Sequence, residues 1–372
     1  MTKNSKLNTK NSRLLSLDVF RGATVAAMIL VNNPGDWGHI YAPLEHSVWN
    51  GCTPTDLIFP FFLFIVGVSI VYAMETKAAT PSNHNKMIWV ALRRSVILIV
   101  ISLITQLLFH PGFAHLRFPG VLQRIGLVYF ACTILYLKTT EKTRDWLMAA
   151  ILVGYYILLN FVSVPDTGVP SLEPATNFGA WLDRTVFTTN HLWSESHTWD
   201  PEGLLGTFPA IVTGLLGIRT GSWLKRKDKD DNVKVKWMLN CGILGISLGS
   251  IWGIFFPINK ALWTSSYVLY AGGWAMAGLA ICYWLVDVQG YKKFTTPFVA
   301  LGVNALPAYI LSNYIPHYLI NKPWFDGKTI YQIVFEPYFS PYNASAISGL
   351  ALVLLICFIM WILYLRKIII KV

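Results

Sequence analysis

Charge is scarce in this sequence: Asp, Glu, Lys and Arg make up 13% of its 372 residues, about half the roughly 25% of an average soluble domain. With 54% hydrophobic residues and a mean hydropathy of +0.48, that scarcity excludes an ordinary soluble globular chain. Cysteine is nearly absent too. Of five, Cys132, Cys241, Cys282 and Cys357 fall within apolar runs and Cys52 stands alone, so neither a disulfide framework nor a metal cluster is expected. No His-x-x-Glu-His or His-x-x-x-His pair, nucleophile elbow, Walker loop or dinucleotide fingerprint occurs. Internal repeats and low-complexity segments are not evident either.

What the sequence does have is apolar runs of about 20 residues, the length that spans a bilayer as a helix. They fall at roughly 16–33, 55–75, 88–109, 120–138, 145–163, 203–222, 236–256, 262–287, 294–316 and 345–368. The pattern predicts an all-α, polytopic integral membrane bundle of about ten transmembrane helices, a single domain over 1–372.

The net charge of +11 would suit nucleic acid, but its distribution suits a membrane. Lys3, Lys6, Lys10 and Arg13; Lys77, Lys86, Arg93 and Arg94; Lys138, Lys142 and Arg144; the 219–236 cluster; Lys292 and Lys293; and Arg366, Lys367 and Lys371 recur in every second loop. The alternate loops and helix mouths hold only Arg117, Arg124, Arg184, Lys260, Lys322 and Lys328. By the positive-inside rule both termini are cytoplasmic, with a basic tail at 1–14 and extracytoplasmic loops at 164–202 and 317–344. Residues 1–15 are polar, so no cleavable signal peptide is expected and the first span directs insertion. Both outer loops are rich in Trp, Tyr, Phe, Pro and Asn, which suits a lid over an outward site or an aromatic belt at headgroup level.

With this orientation the even-numbered spans begin outside, and the polar motifs gather there. The second opens with "TPTDLIFP" (Asp56), the fourth with "FPGVLQRIG" (Gln123, Arg124) and the sixth with "WDPEGLLGT" (Glu202), while the eighth follows "PINKALWTSS" (Lys260). Unpaired N–H groups at several helix N-termini could hold an anion or oxyanion. The plainer alternative is that Asp56 and Glu202 complement the helix dipole. Ionisable groups at one membrane depth favour a shared outer site.

His46 precedes Trp49-Asn50-Gly51, where an imidazole can act as general base or nucleophile. His39, His110, His115, His191, His197 and His317 compete for that role. In "SLDVFRG", Asp18 and Arg21 share a helix face as an ion pair; Arg21, Arg93 and Arg94 are alternatively candidate phosphate contacts for a cytoplasmic ligand. Asn32 and Asn33 close the first span, and Asn304 interrupts the ninth.

Taken in order, "LLSLDVFRG", "LVNNPG", "EHSVWNGCTPTDLIFPFFLFIVG", "RFPGVLQRIGLVYF", "DPEGLLGT" and "NKALWTSSYVL" resemble the transmembrane acyltransferase family of heparan-α-glucosaminide N-acetyltransferase and its bacterial relatives. The resemblance runs over roughly 15–313 and fades in the C-terminal span. It implies an enzyme that takes acetyl-CoA from the cytoplasmic side and acetylates a glucosamine-type amine on the other. It implies His46 and Asn32 as catalytic residues. Asn50, Asp56, Gln123, Arg124, Glu202, Lys260 and Asn304 become acceptor-site candidates, and Arg21, Arg93 and Arg94 acetyl-CoA candidates. No metal is implied, a bacterial inner membrane is the expected location, and a homodimer is compatible. The stretch between Asn32 and His46 is longer than in the animal enzyme, and the large N-terminal luminal portion has no counterpart, which bears on acceptor identity. An amino-sugar transporter and an O-acyltransferase of surface glycans are the alternative readings; direct transfer and an acetyl-His intermediate both remain open.

Overall fold

The computed structural model describes residues 14–78, 80–109 and 111–370. The basic tail at 1–14 lies, up to residue 13, outside the described residues, as do His110 and Lys371.

The chain is a helical bundle. Helix α1 (Leu15–Asn32) is followed by a long loop and a 3₁₀ turn, Pro54–Leu57, that runs into α2 (Ile58–Ala78). Then come α3 (His84–Phe109), α4 (Val121–Lys138) and α5 (Glu141–Phe161), the last capped by the Thr140 side chain, which accepts from Thr143 N–H. The stretch 164–202 holds a short helix of its own, α6 (Phe178–Phe187), before α7 (Thr207–Leu224), α8 (Asp231–Trp252) and α9 (Ser265–Tyr283). Helices α10 (Thr296–Val303) and α11 (Ala305–Ile315) meet at Asn304. A two-stranded ribbon, β1 (Pro323–Phe325) with β2 (Lys328–Thr329), and the short α12 (Ile330–Val334) precede α13 (Pro341–Leu365).

Each of the ten predicted spans contains a helix, and the chain is mostly helical as expected. By length and composition six of the helices among the described residues can cross a membrane, or seven if the bent pair at Asn304 counts as one span. The remaining positions fall short for a visible reason. Helix α5 opens on Glu141, Lys142, Arg144 and Asp145, and α8 on Asp231, Lys234 and Lys236, which dilutes their apolar stretch. Helix α7 spends its positions on Gly and Thr instead of large apolar side chains.

Those small residues are what hold the bundle together. A Cβ on Gly67 of α2 would run into the Gly214 carbonyl of α7, and one on Gly217 into the Phe64 carbonyl. Backbone-to-backbone approach at small residues is how helices associate where no water is left to expel. Helices α1 and α10 use the same device through Gly22 and Gly302. Outward, α3 is buried over only 11% of its most apolar window, and Trp89, Val96, Val100 and Ile104 are exposed, as are Leu354 and Phe358 of α13. An apolar surface of that kind suits lipid.

At Asn304 the two limbs bend by 86°. The fully buried Asn304 amide accepts from Ile370 N–H (3.0 Å) and donates to the Ile368 carbonyl (3.2 Å), so the break is satisfied by the C-terminal tail.

Candidate active site

The loop after α1 does not pass directly to His46. Gly35 N–H donates to the Ser345 carbonyl and Asp36 N–H to Ser345 Oγ, which pins the loop on α13 before it returns. This detour takes up the length of chain between Asn32 and His46. Asn32 consequently lines a separate small cavity of about 80 Å³ with Asn321 and Ser348, and His46 does not line it.

His46 is held from below by Asp56. Its Nδ1 lies 2.7 Å from Asp56 Oδ1, with His46 47% and Asp56 1% exposed. The other carboxylate oxygen accepts from Ser47 N–H (3.1 Å), Thr53 N–H (3.0 Å) and the Thr53 hydroxyl (3.2 Å). Thr53 and Asp56 thus form the capping box of the 3₁₀ turn, which is why Asp56 faces back toward the loop. With Oδ2 saturated, Oδ1 is left for the imidazole. Lys260 Nζ completes the group, 3.7 Å from Asp56 Oδ1 and 3.1 Å from His46 Nδ1. Burial lowers its proton affinity against the opposing pull of Asp56 and Glu202. In the same loop, burial and the nearby Asp56 push the Cys52 thiol up to about 12, so it supplies no thiolate near neutral pH.

Two loops are stitched together around this group. Gly51, at φ +113°, takes a conformation that L side chains rarely adopt, and its N–H donates to the Ile258 carbonyl (2.8 Å). Asn50 Oδ1 accepts from Asn259 Nδ2 (3.2 Å), whose own Oδ1 accepts from Leu262 N–H (2.8 Å). Trp49 donates to the Leu172 carbonyl and packs edge-on against Trp199. Beneath, the Tyr267 hydroxyl donates to the Asp56 carbonyl (2.6 Å).

A second polar cluster adjoins the first. Arg117 donates twice to Asp200 (2.7 and 2.6 Å) and once to Glu202 (2.6 Å). Its desolvation is outweighed by those two carboxylates, which raise its proton affinity. Arg124, 1% exposed, donates to the carbonyls of Pro201 (3.0 Å) and Gly203 (2.7 Å) beside the Trp263 ring. The Glu202 carboxyl is pulled down despite its burial, by Arg117, Arg124 and Lys260. Asp183 of α6 accepts from Leu204 N–H (2.8 Å), and its own carboxyl is pushed up to about 7, chiefly by desolvation with Asp200 adding to it.

This corrects the expected start of the sixth span. Helix α7 begins at Thr207, so Glu202 sits in a turn ahead of it. There Asp200 accepts from Glu202 N–H (2.9 Å) and Gly203 N–H donates to the Asp200 carbonyl, while Arg124 draws off two carbonyls; the turn cannot become helix.

Between α1, α2, α3, α4 and α11 runs a cavity of about 310 Å³, lined almost wholly by apolar side chains such as Phe62, Ile65 and Ile125. Arg21 and Arg94 line it, and Arg93 does not. Arg21 donates to Asp18 (3.0 Å) and Ser69 (2.7 Å), so the predicted ion pair is present. Tyr309, Val121 and Leu122 also line it, and Tyr309 is within electrostatic reach of Arg117 and Glu202. Arg21 and the end of α1 at Asn32 are separated by the rise of about 11 helical residues, roughly 16 Å. The cavity thus has Arg21 and Arg94 in its lining together with Tyr309, which is within electrostatic reach of the Arg117–Glu202 cluster. The Tyr129 hydroxyl in its wall, and both polar atoms of the buried Gln123 amide, have no partner among the described residues.

The structure thus brings together His46, Asp56, Lys260, Asn50, Arg124 and Glu202, and gathers Arg21 with Arg94. Among the described residues neither Asn32 nor Asn304 shares a hydrogen bond or a cavity lining with His46. Arg117, Asp183, Asp200 and Asn259 were missed as site candidates. Asp200 and Asn259 sit within the quoted motifs, "WDPEGLLGT" and "PINKALWTSS", whereas nothing local marks Asp183.

A family model described as the catalytic region of heparan-alpha-glucosaminide N-acetyltransferase matches residues 13–248. The heparan-alpha-glucosaminide N-acetyltransferase of Homo sapiens is 30% identical over 371 residues, covering 84% of this chain and 55% of that protein. The Mus musculus protein of the same name is 31% identical over 365 residues, covering 82% and 54%. The chain spans about half the length of these curated relatives. It belongs to the heparan-alpha-glucosaminide N-acetyltransferase catalytic family.

Proposed function

We propose that this chain is a ten-span membrane acetyltransferase, one domain over 1–372 with both termini cytoplasmic. It moves an acetyl group from cytoplasmic acetyl-CoA to the amine of a glucosamine-type sugar on the opposite face of a bacterial inner membrane. The loops at 164–202 and 317–344 then flank the acceptor side. The alternation of Lys and Arg between loops supports the orientation. The names of the relatives support the reaction class.

One observation carries the reading: an apolar cavity with Arg21 and Arg94 in its lining also includes Tyr309, which is within electrostatic reach of Glu202, and Lys260 feels both Glu202 and the Asp56 of the Asp56–His46 pair. An apolar cavity with cations in its lining suits a narrow, flexible arm with a phosphate-bearing head, and the unpartnered Tyr129 hydroxyl in its wall suits an amide group of such an arm. Acetyl-CoA supplies the activated acyl group. Arg21 and Arg94 hold the nucleotide phosphates from the cytoplasmic side.

Asp56 accepts the Nδ1 proton of His46, fixing the tautomer and leaving Nε2 as the proton acceptor. His46 Nε2 takes a proton from the acceptor nitrogen as that nitrogen bonds to the acyl carbon; the carbon–sulfur bond then breaks, and the departing thiolate takes the proton back from His46 to leave as the thiol. Asn50 shapes the loop, while Glu202 and Arg124 order the wall beside it. Arg117 and Asp200 brace that wall.

The test is transfer of labelled acetyl from acetyl-CoA to glucosamine by the purified protein in lipid discs. His46→Ala is expected to abolish transfer while acetyl-CoA still raises the unfolding temperature. Full transfer by a folded His46→Ala protein would overturn the mechanism. Sugar counterflow in vesicles without CoA would replace the enzyme by a carrier.

A further inference from the structure

Lys260 lies in the loop between α8 and α9, beyond the stretch matched by the family model. Its ammonium is 3.1 Å from Nδ1 and 3.3 Å from Nε2 of His46. Near-equal distances to both ring nitrogens set the ammonium over the imidazole rather than in line with either lone pair. Nδ1 is already engaged by Asp56 at 2.7 Å. The Nε2 lone pair therefore stays open in the ring plane, and a cation rests against the ring.

The placement is built in. Lys260 is 18% exposed and follows Asn259, whose amide is tied to Asn50 and to Leu262 N–H. Ile258, on the other side of Asn259, is bonded through its carbonyl to Gly51 N–H. The lysine-bearing loop and the histidine-bearing loop are thus tied together by two hydrogen bonds. The charges facing His46 are Asp56, from the start of α2, and Lys260. Those acting on Lys260 are Asp56 and Glu202, with the Cys52 thiol close by. Glu202 is already paired with Arg117.

Asp56 alone would favour the imidazolium, because a carboxylate beside Nδ1 stabilises positive charge on the ring. A protonated His46 cannot accept another proton. A cation against the same ring works in the opposite direction.

We propose that Lys260 is a positioning residue whose ammonium, set against the imidazole, offsets the charge of Asp56 and leaves His46 Nε2 open to accept a proton. The inference depends on the reading of His46 as the base. Lys260 acts through His46 and need not touch the acceptor.

Two readouts test it on the full chain in lipid discs: the pH profile of kcat/KM, and the titration of His46 by NMR with labelled histidine, its signal assigned by its loss in His46→Gln. In Lys260→Met the acidic limb and the His46 midpoint are expected to move to higher pH by about one unit or more, the scale for a unit charge this close at a partly solvated site. Lys260→Arg, which keeps the charge, is expected to restore both, and Lys260→Gln replaces Met if that variant does not fold. A His46 midpoint that stays in place or moves down on loss of the cation overturns the proposal. Because the NMR midpoint does not depend on turnover, it still decides the Lys260 effect if His46→Ala proves active and the base reading itself falls.

Discussion

His46 Nδ1 and Asp56 Oδ1 stand 2.7 Å apart, with the imidazole 47% exposed and the carboxylate 1% exposed. A buried acceptor fixed by three other donors is a rigid reference for a solvent-facing ring. Asp56→Asn keeps the shape but can present an amide N–H to Nδ1 and so favour the wrong tautomer. Its kcat for acetyl transfer is expected to fall by roughly 10²- to 10⁴-fold, with a smaller change in KM. Steady-state kinetics on the folded variant check this.

Arg117 neutralises Asp200 and Glu202 together. Arg117→Ala leaves two buried carboxylates without their cation and is expected to lose about 3–5 kcal/mol of stability. Because the Glu202 carboxyl is pulled down in the folded protein, its share of stability is present above the ordinary glutamate range and lost on acidification through it. Denaturation of the wild type and Arg117→Ala at pH 7 and pH 4 should show the gap narrowing in acid.

Asp183 has the opposite sign. Its carboxyl holds its proton to about pH 7 in the folded chain, whereas the unfolded chain releases it near the usual aspartate value. The folded state binds more protons over that interval, so this group lowers stability progressively from about pH 4 to pH 7 and no further above it. Asp183→Asn keeps an acceptor for Leu204 N–H and removes the titration. It should be more stable than the wild type at pH 8 by a few kcal/mol, and similar to it at pH 4, as measured by thermal unfolding across pH.

Gly67 abuts the Gly214 carbonyl across the α2–α7 contact. Gly67→Leu has to push two backbones apart, with a cost of at least about 1–3 kcal/mol. Loss of the monodisperse peak in detergent chromatography, with Val100→Ala on the exposed face of α3 as a control, is the readout.

Ile125 lines the central cavity. Ile125→Trp fills it, so thermal stabilisation by acetyl-CoA should disappear; in the wild type ligand at 100 times its Kd would add about 2.7 kcal/mol. His46→Ala should retain that stabilisation, which separates donor binding from chemistry.

Much of the architecture was legible because lipid and helix impose one-dimensional rules. A run of about 20 apolar residues has few other uses, and a helix stands at each of the ten positions where such a run occurs. Thr140, Asn177 and Thr264 cap helices as local chemistry predicts. The break at Asn304 was visible as a polar residue in an apolar run, but not its purpose, since its partners Ile368 and Ile370 lie over sixty residues away.

The amino-acid sequence by itself determined a membrane bundle and the family, and it marked His46 before Trp-Asn-Gly as a candidate, because those properties reside in composition and in contiguous motifs. Only the tertiary structure decided who stands beside whom. It set Asp56 and Lys260 on the His46 ring, put Arg117 between Asp200 and Glu202, and sent Asn32 to a different cavity by anchoring its loop on α13. Hydrogen bonds and ion pairs between distant segments depend on distances of a few tenths of an ångström. No periodicity along the chain encodes them, and they exist only once packed helices bring the loops together.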